Sequence, residues 1–132
     1  MFNASYLTTP EQIQEELAEM QAFLEMEFSN ENPVTCIDRM EKLSQYMSRS
    51  GKLKSDAEYH YFQVYNSSIM KTLKEVAETY MSASTINSYI KSACRDYNYL
   101  LTWSDRVNRS CVHQIDKLRT VISYQKSERQ YQ

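Results

Sequence analysis

Apolar residues recur at helical spacing along almost the whole chain, and this pattern predicts three helices. The first helix is predicted over residues 10–28, where apolar positions lie three or four residues apart. These positions are Ile13, Leu17, Met20, Leu24 and Phe28. Thr9 can cap this helix, Pro10 suits the first helical position, and Gln12 can close a capping box.

The second predicted helix is the longest, from Pro33 to about Met81, with Asn32 as its cap. Its apolar side runs through Ile37, Met40, Leu43, Met47, Leu53, Ala57, Tyr61 and Val64. Ser50 and Gly51 interrupt the pattern, and an internal glycine costs about 1 kcal/mol relative to alanine. Either the helix kinks there or another backbone approaches closely, and we expect a continuous helix crossed by a neighbour.

The third helix is predicted over residues 84–126, with Ser84 as its cap and an apolar stripe that alternates steps of four and three. The stripe consists of Ile86, Ile90, Ala93, Tyr97, Leu100, Ser104, Val107, Cys111, Gln114, Leu118, Val121 and Gln125. Such a repeat indicates left-handed, coiled-coil-like packing, and the polar Ser104 and Gln114 are of the kind that sets register.

The length of the third helix predicts the overall architecture. It would extend roughly 60 Å, whereas a compact globule of this size spans only about 35–40 Å. We therefore expect an all-α, elongated bundle in a single domain over residues 1–132. It would consist of an acidic N-terminal helix within 1–31, a helical hairpin over 33–126 and a frayed tail over 127–132. The third helix would be too long for its own chain to cover and would reach other subunits.

Composition agrees with helices and narrows the class of protein. One Gly and two Pro are too few for a β-rich chain with many tight turns. No run of about 18 apolar residues predicts a membrane span, and the N-terminus lacks the features of a signal peptide. Cys36, Cys94 and Cys111 are an odd number at wide spacing, which favours reduced, buried thiols and a cytoplasmic location.

Charge is unevenly distributed although the net charge is only -2. Residues 11–31 carry seven Glu and no Lys or Arg. The C-terminal helix is rich in basic residues, namely Lys91, Arg95, Arg106, Arg109, Lys117, Arg119, Lys126 and Arg129. The two segments could pair within or between subunits, or the basic one could face an anionic partner.

No catalytic or metal-binding motif is present in the sequence. Cys111 and His113 are two residues apart and would point to different faces of a helix, and His60 has no partner at metal-ligand spacing. A single Gly cannot build a glycine-rich phosphate loop. We therefore predict a non-enzymatic protein without cofactor or metal.

Aromatic residues cluster in "EYHYFQVY" and "DYNYLLTW", and they allow two interpretations. They could fill the space between the second and third helices, or some could lie exposed beside basic residues and stack on the bases of a single strand. The stacking candidates are Tyr59, Tyr65, Tyr99 and Trp103. The basic candidates are Lys52, Lys54, Lys71, Lys74, Arg106 and Arg109, for which a solvated helix surface is the alternative.

The order of these segments resembles the UvsY-type recombination mediators of tailed phages. The likeness covers roughly residues 40–120 and rests on "QYMSRSGKLKSDAEYHY", "SSIMKTLKEV" and "INSYIKSACRDYNYLLTWSDRVNRSCVHQIDKLR". It implies a homo-oligomeric ring that binds single-stranded DNA and helps to load a recombinase onto strands coated by a single-strand-binding protein. In that family basic residues near the end of the long second helix contact DNA, which implies Lys71 and Lys74 here.

Two functional hypotheses follow. The first is an oligomeric protein that binds single-stranded DNA, weakly per subunit and more strongly through many subunits. The second is a protein–protein adaptor or inhibitor, again of phage or mobile-element type, in which the acidic N-terminal helix contacts a basic partner.

Overall fold

The structure is a computed structural model that describes residues 1–130, and these form three α-helices arranged as an elongated bundle. Helix α1 spans Pro10–Glu25, α2 spans Pro33–Glu78 and α3 spans Ala83–Gln130. A short 3-10 turn, Ala4–Tyr6, precedes them. With 46 and 48 residues, α2 and α3 are each roughly 70 Å long. The predicted all-α, elongated bundle of three main helices is confirmed.

The start signals of α1 and α2 act as the sequence predicts. The Thr9 hydroxyl accepts a hydrogen bond from the Gln12 amide at 3.2 Å, and the Gln12 side chain accepts one from the Thr9 amide at 3.2 Å. Asn32 caps α2 through the Val34 amide at 2.9 Å. These bonds satisfy amides that the first turn of a helix leaves unpaired.

Three of the predicted helix ends are wrong by a few residues. α1 ends at Glu25 rather than Phe28, because Met26 has extended backbone angles. α2 ends at Glu78, three residues before Met81. α3 begins one residue early, at Ala83, since Ser82 rather than Ser84 accepts the amide hydrogen bond of Thr85.

The predicted frayed tail is also wrong for residues 127–130, which continue α3. No proline or glycine follows residue 126 to stop the helix. Close to this end, Gln125 donates a hydrogen bond to the carbonyl of Asn30 at 2.7 Å and so ties α3 to the loop before α2. Residues 131 and 132 of the predicted tail lie outside the described residues.

The core lies between the two long antiparallel helices, and α1 packs along one side of them. α1 runs parallel to α3, since Pro10 lies near Leu100 while Leu24 contacts Gln114. The most deeply buried apolar side chains are Ile13, Leu17, Cys36, Leu43, Leu53, Val107 and Cys111. Complete burial of a Leu or Val side chain contributes about 1.5–3 kcal/mol, so all three helices depend on this core.

The apolar stripe of α3 forms the seam with α2, and Ser104 lies in it fully buried. The Ser104 hydroxyl is satisfied within its own helix by the carbonyl of Leu100 at 2.7 Å. Gln114 binds Arg39 of α2 and the Leu24 carbonyl of α1, both at 3.0 Å. The expectation that the chain cannot cover this stripe is wrong, because α2 is nearly as long as α3 and lies against it.

The Ser50–Gly51 interruption is the point where α3 crosses a continuous α2, as expected. The Asn108 amide of α3 donates to the carbonyl of Met47 at 2.8 Å and lies 3.2 Å from the Ser50 hydroxyl oxygen. Gly51 has a helical backbone, and a Cβ added there would lie 3.9 Å from the Asn108 amide nitrogen. This distance is ordinary van der Waals contact, so the crossing does not require a glycine.

We therefore expect Gly51→Ala to stabilise the protein. Alanine fits the available space and avoids the entropic cost of a mid-helix glycine, so the free energy of unfolding should rise by about 0.5–1 kcal/mol. Urea unfolding followed by circular dichroism measures this change. A loss of stability would show that α3 approaches α2 more closely than the contact with Asn108 indicates.

Candidate nucleic-acid interface

Two of the predicted DNA-binding residues, Lys54 and Arg109, pair with one carboxylate at the surface of the α2–α3 seam. Lys54 of α2 and Arg109 of α3 lie 2.8 Å and 3.0 Å from the oxygens of Asp105. The hydrogen bond from Lys54 and the charges of both bases keep the pKa of Asp105 below its usual value. The positive charges are therefore partly neutralised across the α2–α3 seam.

Lys52 is engaged in the same way near the N-terminus. Its ammonium group donates to Asp56 at 2.6 Å and to the Tyr6 carbonyl at 2.8 Å. The Asp56 side chain is only 6% exposed and also accepts the Thr8 amide at 3.0 Å. Burial by itself disfavours the Asp56 carboxylate, but the hydrogen bonds from Lys52 and Thr8 outweigh it and lower the pKa.

Thr8 is the centre of a polar cluster that fixes the N-terminal segment on α2. Arg49 donates to the Thr8 hydroxyl at 3.2 Å and forms a two-pronged ion pair with Glu16 of α1. His60 Nε2 lies 2.7 Å from the Thr8 carbonyl oxygen, and it is the donor because a carbonyl only accepts. Every ionisable group in this cluster has a protein partner, which gives the cluster a structural role.

Lys71 and Lys74 lie near the turn between α2 and α3, away from the other basic candidates. Both are exposed. Lys71 lies over the Tyr89 ring at 5.9 Å, and a hydrogen bond to Tyr89 raises the pKa of Lys71. The twenty residues between Lys54 and Lys74 correspond to roughly 30 Å of helix. The six basic candidates therefore do not form one patch.

The structure brings aromatic and basic candidates together at one place, on the side of α3 next to α1. Tyr99 and Trp103 are neighbours with ring centres 5.8 Å apart, and Arg106 follows on the same face. Together with Thr102 they line a shallow cavity of about 280 Å³, which we call the aromatic crease. Tyr99 is 64% exposed, while the Trp103 indole donates to Gln21 of α1 at 3.0 Å.

The other two stacking candidates are less available to a ligand. Tyr59 stacks on Phe2 with ring centres 5.0 Å apart, so the N-terminal segment covers one of its faces. Tyr65 is half-buried and packs on Tyr61 at 6.1 Å. Of the four predicted rings, Tyr99 presents the largest free surface beside a cation.

Sequence reasoning missed a second surface, an open groove of about 940 Å³ between α2 and α3. Its apolar lining includes Ile37, Met40, Met47, Val112, Ile115 and Ile122, and we call it the apolar groove. Ile37 was expected on the core side of α2 but is 54% exposed. The helical period places Ile37 near the core stripe of α2. α1 packs on the other side of the hairpin, however, so this side of α2 is left uncovered.

The three cysteines are buried and form no disulfide, as the sequence predicts. Cys36, Cys94 and Cys111 are buried free thiols, and burial raises the pKa of Cys94 and Cys111. Residues 1–130 contain no group of three His, Cys, Asp or Glu placed to hold a metal ion. None of the helices over that range has an apolar stretch long enough to span a bilayer.

Comparisons with known proteins add no family. No protein-family model matches the chain, and no similar curated protein or solved structure was found. The resemblance to UvsY-type mediators therefore stays a prediction.

The polar cluster predicts a specific acid sensitivity. Because the pKa of Asp56 is lowered in the folded protein, its contribution is fully present above the ordinary value of 3.8 and is lost as the pH falls through the folded pKa. Asp56→Asn should cost about 1–3 kcal/mol at neutral pH and lose less additional stability in acid than the wild type does.

The measurement is the free energy of unfolding as a function of pH for both proteins. Asp116→Asn is the matched control, since the Asp116 side chain is 63% exposed and its closest cation, Arg119, is 3.7 Å away. Equal pH profiles for wild type and Asp56→Asn would contradict the assignment.

Proposed function

We propose that this protein is a non-enzymatic, homo-oligomeric protein that binds single-stranded DNA through the aromatic crease. The observation that carries the proposal is the exposed Tyr99 ring beside Trp103. Arg106 lies one helical turn beyond Trp103 and two turns beyond Tyr99, and all three residues line one cavity. Among residues 1–130, Arg106 makes no ion pair, in contrast to the neighbouring Arg109. An exposed aromatic ring and a cation without an ion pair, both lining one cavity, can bind a single strand through base stacking and a phosphate contact.

The crease offers two kinds of contact with a nucleotide. A base can stack on Tyr99, which is worth about 1–3 kcal/mol by the usual measure of alanine substitution. Arg106 can bind the adjacent phosphate, and Gln14 of α1, which lies near Tyr99, adds an uncharged hydrogen-bonding group. One such site is weak, so useful affinity depends on several subunits that bind one strand.

Lys71 and Lys74 provide a second contact in this proposal. They are exposed at the hairpin end, and the UvsY-type resemblance implies DNA contacts at these positions. The same resemblance supplies the biological role, which is assistance to a recombinase on strands coated by a single-strand-binding protein. Both of those proteins are proposed partners.

Substitutions of two arginines that lie three residues apart test whether the crease is the binding site. Arg106→Gln should weaken binding to a labelled oligonucleotide and reduce the salt dependence by about 0.7 in the log–log slope, as expected for one lost phosphate contact. Arg109→Gln is the matched control and should change the slope less, because Asp105 already holds Arg109. Tyr99→Leu should cost about 1–3 kcal/mol with little change in slope.

Fluorescence anisotropy at several salt concentrations measures all four proteins. Absence of wild-type binding at low salt would overturn the proposed function. Equal effects of the two arginine substitutions would remove the crease as the binding site.

The second candidate function, an adaptor that contacts a basic partner, is favoured by the outer face of α1. Glu11, Glu15 and Glu19 are four residues apart, exposed, and without an ion pair among the described residues. Like charges at this spacing disfavour an isolated helix. A basic partner would relieve that repulsion.

This adaptor function is tested by charge removal rather than by truncation. Deletion of residues 1–31 would take Ile13, Leu17 and Met20 out of the core and unfold the protein. Replacing Glu11, Glu15 and Glu19 with Gln leaves the core intact and should abolish capture of a specific partner in a pull-down from host lysate. Replacing Glu25, Glu27 and Glu31 with Gln is the control, and equal capture by both variants would contradict the adaptor function.

A further inference from the structure

Helix α2 carries exposed apolar residues on its outer face, turned away from α3, near the hairpin end. Phe62, Met70 and Leu73 are 48%, 59% and 59% exposed, and Ile69 is half-buried. Positions 62, 69 and 73 share one side of a helix. The seam with α3 is on another side, where Ser68 and Thr72 are buried. We call Phe62, Ile69, Met70 and Leu73 the outer stripe.

The outer stripe and the apolar groove match each other in length. The groove uses α2 residues from Ile37 to Met47, which corresponds to about 15 Å of helix. The stripe runs from Phe62 to Leu73, about 17 Å. Burial of both surfaces on binding would be favourable, because contiguous exposed apolar patches of this kind mark interaction sites.

The part of α2 between the groove and the outer stripe is lined with small side chains. Ser44, Ser48, Gly51 and Ser55 follow one another in steps of four, three and four, so they lie on one side of the helix. Three of them are exposed and Gly51 is half-buried. Small side chains allow a second helix to approach closely, and their row continues from Ser44 in the groove toward Phe62.

We propose that this face of α2 binds a second copy of the chain, antiparallel and across a two-fold axis near Ser55. In this arrangement the outer stripe of each copy occupies the apolar groove of the other. Phe62 of one copy then lies over Ser48 of its partner, and the rest of the stripe lies over the groove. A two-fold contact requires a self-complementary surface, and a face that is open at one end and bulky at the other satisfies this requirement.

Charge favours a second copy over an unrelated partner. Glu41 lines the groove, and Lys74 flanks the outer stripe next to Leu73. Neither forms an ion pair within residues 1–130. With the axis near Ser55, Glu41 of each copy lies opposite Ile69 of the other, about five residues or roughly 8 Å along the helix from Lys74. Two long side chains can span this offset, which gives two equivalent ion pairs.

The contact area is sufficient for a stable dimer. A strip along α2 from Ile37 to Lys74, roughly 55 Å by 10 Å, gives about 550 Å² per partner and about 1,100 Å² in total, above the roughly 1,000 Å² that a specific interface needs. The inference uses the side of the hairpin that does not carry the aromatic crease. It can therefore be tested without DNA: a dimer unaffected by Leu73→Glu would overturn this interface and leave the crease untouched, and Lys74 is the one residue shared with the proposed DNA contacts.

Sedimentation equilibrium of the full chain is the first measurement. We expect a species of twice the 15.6 kDa chain mass that dissociates on dilution. Leu73→Glu should weaken the dimer at least about tenfold, because it places a carboxylate in the apolar groove near Glu41. Tyr124→Glu is the matched control, since Tyr124, like Leu73, is a large and mostly exposed hydrophobic side chain on a helix and lies outside the groove and the stripe. A wild-type monomer at high micromolar concentration, or a dimer unaffected by Leu73→Glu, would overturn the proposal.

Charge reversal tests the pairing without any change in the core. Lys74→Glu and Glu41→Lys should each weaken the dimer, and the double variant should restore it. Ser55→Cys should also form a disulfide-linked dimer under mild oxidation, because the two copies of residue 55 meet at the axis. Ser88→Cys on α3, away from the axis, should not. The native thiols are buried and add no cross-links of their own. Absence of rescue together with equal cross-linking of both cysteine variants would overturn the antiparallel arrangement.

Discussion

The antiparallel packing of α2 against α3 is the contact on which the rest of the structure depends. Leu53 and Val107 are fully or almost fully buried in this seam, and Asn108 fixes the crossing at Ser50. α1 has only 16 residues, a length at which an isolated helix is marginal in water. It is stable because Ile13, Leu17 and Met20 enter the core that the hairpin provides.

The same packing determines which charges remain available to a partner. The register of the hairpin brings Lys54 of α2 opposite Asp105 of α3, and the two residues form a hydrogen-bonded ion pair. Arg106 follows immediately in sequence but points to the α1 side, where no carboxylate meets it among the described residues. Arg106 and Arg109, only three residues apart, thus differ in ion pairing because their side chains leave the helix in different directions.

The sequence was sufficient to predict the helices, because their signals are local. The period of apolar residues and the capping groups Thr9 and Asn32 act within one or two turns. The ends were less predictable: Glu25 and Met26 carry no stop signal, and the end of α1 is set by how the chain turns toward Asn32. The continuity of α2 through Gly51 was predictable only as one of two alternatives, because it depends on Asn108, 57 residues further on.

The candidate site was predicted in part for a related reason. Tyr99, Trp103 and Arg106 share one helix, and their proximity follows from a spacing of four and three. The pairing of Lys54 with Asp105, 51 residues apart, and of Lys52 with the Tyr6 carbonyl requires the tertiary register. No pattern along one helix contains that information, and basic residues that are equivalent in sequence therefore have different availability.

The position of α1 separates the two surfaces that a multivalent binding protein needs. α1 lies beside the aromatic crease, where Gln21 holds Trp103, whereas the apolar groove is lined by α2 and α3. The predicted assembly through α3 would have used the stripe that the hairpin itself buries. In the proposed dimer the copies meet on the outer face of α2, so each subunit keeps its aromatic crease accessible. Among the proposed DNA contacts, only Lys74 lies at the contact between copies.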